Sequence, residues 1–475
     1  MTESTTQTDL ATRRSALLVA TVTSFLAPLM SSSINVALPA IAAELSMDAV
    51  MLSWVATGFL LAAAVFLLPL GRLADIHGRK KVFSAGMVVY TLASLLSAFA
   101  TSGMMLIAFR ILQGLGAAMI FGNGIAILTS VFPMGERGRV LGITTAAVYS
   151  GLSLGPFFGG FMTQQLGWRS LFLTHVPIGL LVLIIIIWKL KGEWAEAKGD
   201  RFDLTGTLIY SVMLVSGMYG VSLLPDLNGL WLILVGLVGF VAFVAWELRA
   251  RYPLFHIELF TRNRLFAFSS LAAFIHYGAT FAVTFLMSLY LQYIKALTPQ
   301  EAGTVLVCQP IIMAVFSPFS GRLSDRIETR LVASAGMATT VIGLILLAFV
   351  TETTSLVYII GALMLLGLGF ALFSSPNTNA IMSAVERRFY GVASGTVGTM
   401  RTIGQMLSMG VTMLIFALLI GRVEITAEHY PNFLKSTRLI FALSAGLSFV
   451  GIFFSLSRGE FLRNNGSGPS LPPES

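Results

Sequence analysis

Two arginines, Arg110 in FRILQGLGAA and Arg401 in GTMRTIGQM, stand in the middle of long apolar runs. A cation in such a place needs a water-filled cavity, an acid or backbone carbonyls around it. Each arginine is therefore either a structural post bonded to carbonyls, or a source of field that lowers a nearby acid's pKa or anchors an anionic group. Two histidines share the setting: His276 in FIHYGATF and His175 in LFLTHVPIG. Imidazole titrates near neutrality, so each is a candidate to exchange a proton, with a hydrogen-bonded structural role as the alternative. Asp75 is a further proton candidate. No Asp or Glu falls in the middle of an apolar run. Asp75, Asp325, Glu136, Glu247 and Glu386 lie near one end of their runs, and Glu44, Asp48 and Glu301 near the other. A cationic ligand in low dielectric needs a buried carboxylate. The interior therefore favours neutral, zwitterionic, anionic or lipid-like molecules over purely cationic ones.

The other polar residues within apolar runs outline a candidate cavity. Ser31, Ser32, Ser33 and Asn35 come early in the chain, followed by Gln113, Asn123 and Tyr149. Gln292, Tyr293, Gln309, Asn377, Asn379 and Gln405 come late. Any one of them can equally be an interhelical hydrogen bond. Cys308 is alone, which excludes a disulfide framework and a cysteine metal cluster. The glycines within 365–370 lie inside an apolar run without a preceding strand, so they do not form a dinucleotide loop. No phosphate loop and no convergent acid, base and nucleophile are present. The sequence points away from an enzyme, requires no cofactor and no metal, and leaves an ion gradient as the energy source.

The elements that position these residues are membrane spans. The chain is 56% hydrophobic and 11% charged, about half the charged fraction of a soluble protein. Its apolar residues come in blocks of roughly twenty, the length that crosses a bilayer as a helix. Fourteen spans are expected, at about 16–37, 50–70, 82–100, 104–128, 139–163, 171–190, 204–224, 229–248, 265–293, 301–320, 331–350, 355–382, 392–420 and 437–457. Helix is the expected form because backbone amides in lipid must be satisfied within the segment. The net charge of +8 would raise nucleic acid as a partner for a soluble protein, but its distribution serves topology instead. With an internal N-terminus, only Arg169, Lys295, Arg422, Lys435 and Arg438 of the Lys and Arg residues fall outside, and both termini are expected in the cytoplasm of a plasma (inner) membrane protein. The first apolar run has no small-residue cleavage site and is read as a retained helix.

A charged phrase occurs twice. GRLADIHGRKKVF begins at Gly71 and GRLSDRIETR at Gly321, so that Gly71, Arg72 and Asp75 recur as Gly321, Arg322 and Asp325. NGIAILTSV at 123–131 likewise lies over NTNAIMSAV at 377–385. Both offsets pair spans eight apart, which fits six helices, an inserted pair and six more. The expected organisation is a tail at 1–15, a six-helix bundle at 16–190, an inserted pair at 191–250, a second bundle at 251–457 and a disordered cytoplasmic tail at 458–475. Duplicated halves moving against each other around a central site are a transporter architecture. Gly71 is expected to allow a close helix approach, and Asp75 to accept from a neighbouring helix N-terminus or pair with an Arg. Arg79, Lys80 and Lys81 sit at the headgroups, as a topology anchor or as part of a cytoplasmic latch between the halves. Gly151, Gly155, Gly159 and Gly160 around Pro156 give a small-residue face with a bend.

These motifs carry a family resemblance over nearly the whole chain. GRLADIHGRKKVF resembles the loop motif between helices 2 and 3 of major facilitator superfamily transporters, RILQGLGAA (110–118) the helix 4 motif built on an Arg, and GLSLGPFFGG (151–160) the helix 5 antiporter motif, followed by a similar WRSLFLTHVPIG (168–179). The chain is identified as a member of the fourteen-helix branch of drug:proton antiporters. The resemblance implies an all-α fold of two six-helix bundles, proton-coupled export of amphipathic molecules by alternating access, a role for Arg110 in proton transfer, and a hinge or seal at Gly151, Gly155, Pro156 and Gly159. The expected partners are a small-molecule substrate, protons and the bilayer, with no nucleic acid, and a monomer is the expected state. The alternative is a transporter of lipid-like or anionic metabolites with other or no ion coupling. One departure bears on this choice: Met30 stands where such sequences carry an Asp shortly before NVALP, so the helix 1 proton carrier is absent. His175 likewise replaces an Asn usual in the family.

Overall fold

The computed structural model of the protein describes residues 10–385 and 390–459. Fourteen helices in it are long and apolar enough to cross a membrane. They are α1 (Leu10–Leu45), α2 (Ala49–His77), α3 (Arg79–Ala98), α4 (Gly103–Val131), α5 (Arg139–Leu166), α6 (Arg169–Lys189) and α7 (Leu204–Leu223). They continue as α8 (Leu227–Glu247), α9 (Arg264–Ile294), α10 (Pro299–Ser324), α11 (Thr329–Ala348), α12 (Leu356–Ser383), α13 (Val392–Leu419) and α14 (Ala427–Ser457). Polar residues set the helix starts. Asp48, Ser102, Asn263 and Ser355 each accept from a backbone N–H three residues on, and Thr298 with Glu301 forms a reciprocal capping box. Short connections between capped helices enforce an up-and-down path.

Packing repeats between the halves. In the first six helices α1 packs on α5, α2 and α3 on α4, and α6 on both α1 and α3. In the last six, α9 packs on α13, α10 and α11 on α12, and α14 on both α9 and α11. The neighbour pattern is the same after a shift of eight helices, as the duplicated phrase requires. Across the halves α2 meets α13 and α5 meets α10. The inserted α7 and α8 pair with each other, and α7 leans on α2 and α13. Tyr210, Leu214 and Met218 of α7 are buried there against Leu61 and Val65 of α2 and Met406 and Met413 of α13. The Tyr210 hydroxyl donates to the Ala64 carbonyl at 3.1 Å.

The helix α9 is interrupted at Phe281, between Arg264–Thr280 and Ala282–Leu289, and ends in a π-helical turn at Tyr290–Ile294. The Ala282 N–H donates to the Ser408 hydroxyl of α13 at 3.1 Å. A polar side chain from a neighbouring helix thus supplies the bond that irregular backbone needs away from water.

Candidate functional site

The two interior arginines occupy opposite situations. Arg110 is 1% exposed. Its guanidinium donates to the Val55 carbonyl at 3.0 Å and to Gln113, and lies 4.5 Å over the Phe59 ring. Gln113, also fully buried, passes the network to Ser94 at 2.8 Å. Arg110 and Gln113 are therefore a closed polar post holding α2, α3 and α4 together. Arg401 is half-buried, and among the described residues no carboxylate, carbonyl or hydroxyl hydrogen-bonds its guanidinium. Its charge sits 5.5 Å over the ring of Tyr277 in α9. Ser374 of α12 lies 3.4 Å from the hydroxyl of Tyr149 in α5. Phe370 stands edge-on to Tyr277 at 5.5 Å. This layer joins one helix of the first half to three of the second. Arg401, Tyr149, Tyr277 and Phe370 are all partly open.

The histidines also differ. His175 is buried between two carbonyls, with Nδ1 2.8 Å from Leu171 O and Nε2 3.3 Å from Leu26 O of α1. His276 is fully buried, and neither ring nitrogen has a hydrogen-bond partner. It stacks on Phe373 with ring centroids 4.1 Å apart and meets Phe370 at 5.2 Å. Leaving such a group unpaired costs about 1–3 kcal/mol. Met30, at the position of the missing Asp, is 1% exposed and packed in the core.

At the end of the bundle that carries the α1–α2, α5–α6 and α9–α10 connections, the halves are sealed. Ser288 donates to the Asn35 carbonyl at 2.7 Å, Gln292 to the Val36 carbonyl at 2.9 Å, and the Gln300 N–H to Gln164 at 3.2 Å. A Cβ on Gly160 would collide with the Pro299 carbonyl, and one on Gly303 with that of Pro156. The expected small-residue face is thus divided. Gly151, Gly155 and Gly159 pack against Phe25, Ser32 and Ser33 of α1 within the first half, while Gly160 and Pro156 meet the second. Over their apolar stretches α5 and α10 are less buried than α2 and α9, 28% of the residues against 78%.

The duplicated phrase sits at the opposite end, and its partners come from the connection between α6 and α7. Arg79 is 7% exposed. It donates to Asp75 and Ser130 at 2.8 Å and to both carboxylate oxygens of Glu196 at 2.6 and 2.9 Å. The Arg79 hydrogen bond, against the opposing effect of burial, holds the Glu196 carboxyl below the usual carboxylate range. Arg72 pairs with Asp200 at 2.8 Å. The Arg79 N–H donates to Trp194 O, the Ala197 N–H to Asp75 O, and the Lys80 N–H to the Glu193 carboxylate. Gly78, at φ 122°, makes the turn; any side chain there would strike Glu193. Gly71 has open space around it, so the expected close helix approach is not made in this conformation. In the second copy a Cβ on Gly321 would lie 3.3 Å from the Ser375 hydroxyl, and Arg322 lies 6.0 Å over Phe319. The Asp325 side chain and Glu386 fall outside the described residues.

The remaining cavity candidates separate. Ser32 and Asn123 are buried and bonded to the Leu152 and Met119 carbonyls. Asn377 is buried, bonded to Ser269 O at 3.0 Å and to Arg458 at 2.9 Å. Tyr293 packs on Tyr430 and Phe433. Gln309 and Gln405 are half-buried and Asn379 is exposed. Sequence reasoning missed Tyr277, Ser374, the acids of the α6–α7 connection and Arg458. Arg458, assigned to a tail, is 2% exposed and folded into the second bundle, and burial pushes its guanidinium down to about 10. The acidic run in EWAEAKGD, flanked by basic segments, was the available signal for the connection. Among the described residues no group of His, Cys, Asp and Glu could hold a metal.

Paired bundles, a shared central layer and a one-ended seal define a multi-pass membrane transporter fold. The profile of the Major Facilitator Superfamily matches residues 20–270 and 269–470, and the chain belongs to that family, one of transporters and not of enzymes. It is similar to the riboflavin transporter RibZ of Clostridioides difficile, 27% identical over 93% of this chain and 96% of that one. The multidrug resistance protein Stp of Mycobacterium tuberculosis is 32% identical, over 80% of this chain and 71% of its own length. The cephamycin export protein CmcT of Amycolatopsis lactamdurans is 33% identical over 86% of each chain. In fold the chain resembles a bacterial homologue of the human lysosomal transporter Spinster, crystallised inward-facing and unoccupied, with a TM-score of 0.69 at 16% identity over 95% of this chain and 97% of that one.

Proposed function

We propose that this protein is a proton-coupled exporter of amphipathic small molecules across the plasma membrane, working by alternating access with both termini in the cytoplasm. The observation that carries this reading is the one-ended seal. The halves are bonded through Asn35, Val36, Ser288 and Gln292 at one end, while toward the other end α5 and α10 expose Ile143, Phe316 and Phe319. With the basic loops inside, that is a state open to the cytoplasm, ready to take up cargo. One relative named for cephamycin export and another named for multidrug resistance support the direction. The proton candidates are Arg110, His175, His276 and Asp75. The first, second and fourth have hydrogen-bonding tasks in this conformation; His276 has none, which favours it as the group whose surroundings change with state. The test uses proteoliposomes loaded with pyranine and offered riboflavin, a cephamycin, a neutral dye and a cationic dye under an imposed pH gradient. Substrate-dependent proton movement is expected. Transport that ignores the gradient would remove the antiport.

A second reading, transport of anionic or lipid-like metabolites with other coupling, is favoured by the lack of any Asp or Glu in mid-span and by the buried Met30. It predicts flux unchanged by the pH gradient and abolished in Arg401→Ala.

A further inference from the structure

We propose that Arg401, Tyr277, Tyr149, Phe370 and Ser374 form a binding site for planar aromatic anions, molecules that carry a carboxylate or sulfonate on a flat ring. This deepens the transporter reading by naming the class of its cargo.

The argument starts from the contrast between the two interior arginines. A guanidinium in a membrane interior is held by carbonyls, by acids or by water. Arg110 meets that demand with Val55 O, Gln113 and the Phe59 face. Arg401 has one aromatic face at 5.5 Å and, among the described residues, no hydrogen-bond acceptor. Its planar donor fork is free to take an oxyanion in the bidentate manner suited to carboxylates. The helix positions place the layer at one depth. Arg401 lies nine residues into α13, Tyr149 ten into α5 and Tyr277 thirteen into α9, while Ser374 is nine from the end of α12. At 1.5 Å per residue that is roughly 14–20 Å from the end carrying the duplicated phrase, close to the midplane of the bundle.

The walls supply the rest of the specificity. Tyr277 and Phe370, 5.5 Å apart and inclined at 70°, offer an aromatic corner for a flat ring. The Tyr149 and Ser374 hydroxyls, 3.4 Å apart across the halves, can each donate to a second oxygen of the cargo. No Asp or Glu lies in the middle of any span, so among the described residues no carboxylate competes for Arg401 or would pair with a cationic cargo. Because Tyr149 belongs to the first half and the other four residues to the second, a ligand here touches both bodies that must move.

The experiment is equilibrium binding to the purified full-length protein in nanodiscs, without any gradient. The probes are 2-naphthoate, 2-naphthamide, (2-naphthyl)methylammonium and octanoate. Naphthoate should bind at least about tenfold tighter than the amide or the amine, since one good charge-assisted pair is worth about that much, and tighter than octanoate, which has the carboxylate but no ring for the Tyr277 and Phe370 corner. Arg401→Gln should remove the advantage of naphthoate over naphthamide, with an unchanged thermal unfolding temperature showing that the variant is folded. Arg401→Lys should keep part of the advantage, and Tyr149→Phe should lower naphthoate affinity less than Arg401→Gln. Equal or tighter binding of the amine would overturn the assignment. So would octanoate matching naphthoate, or an Arg401→Gln variant that retains the anion preference. Because no pH gradient is applied, failure here leaves the antiport test untouched, and failure of the antiport leaves this result standing.

Discussion

At the level of single residues, pairing decides what a charge is for. Removing Arg110 leaves Gln113 and the Val55 carbonyl buried without their donor. Arg110→Ala should therefore destabilise the protein by about 2–4 kcal/mol, read as a large drop in thermal unfolding temperature in detergent. Arg401 holds up nothing comparable, and Arg401→Gln should shift stability by less than about 1 kcal/mol while abolishing recognition. If both variants lose stability equally, Arg401 is a structural post as well. The sequence shows two arginines in two apolar runs and cannot tell them apart. Whether a guanidinium meets a carbonyl depends on which helices surround it. The same holds for the histidines: His175 met two carbonyls, and His276 met only rings.

At the level of elements, the connection between α6 and α7 is a clasp. It holds the α2–α3 turn through Glu196, Asp200, Glu193 and two backbone bonds, and so ties the inserted pair to the first bundle. Glu196→Gln should loosen it, seen as faster proteolysis within 190–203 with the helices intact. Acid should do the same in two stages. His256, on the α8–α9 connection, is held below the ordinary histidine value by burial and by Arg72; Glu196 is held below the carboxylate range by Arg79. Both pKa values are depressed on folding, so both contributions are present in full at neutral pH. The His256 part is lost as pH falls from the ordinary histidine value toward its folded one, and the Glu196 part only below the ordinary carboxylate range. A clasp that tightens on acidification would contradict both assignments; the readout is hydrogen exchange of residues 190–203 against pH. The spacing of the duplicated phrase announced a latch, but the acids that hold its first copy lie in a connection with no helical period to read.

At the level of the whole molecule, closure at one end implies that opening there is part of the cycle. Gln164 and Gln300 touch across the seal. A Gln164→Cys, Gln300→Cys pair in a Cys308→Ser background should crosslink on mild oxidation and stop turnover more than about tenfold, with recovery on reduction. Undiminished transport by the crosslinked protein would show that the seal does not open. Gly160→Leu should instead prevent the seal from forming, since its Cβ already meets the Pro299 carbonyl, and should lower transport with the protein still folded.

Span count, helical form and the two-fold plan were all present in the linear chain. Each follows from a local or periodic property: a run of about twenty apolar residues has one way to satisfy its backbone in lipid, and a repeated phrase carries a repeated bundle with it. The division of Gly160 from Gly151, Gly155 and Gly159, the freedom of Arg401 beside the confinement of Arg110, and the acids that hold Arg79 were settled only when the helices came together. Those outcomes depend on which faces of separate helices meet, and residues more than a hundred positions apart in the chain have no local signal by which to find each other.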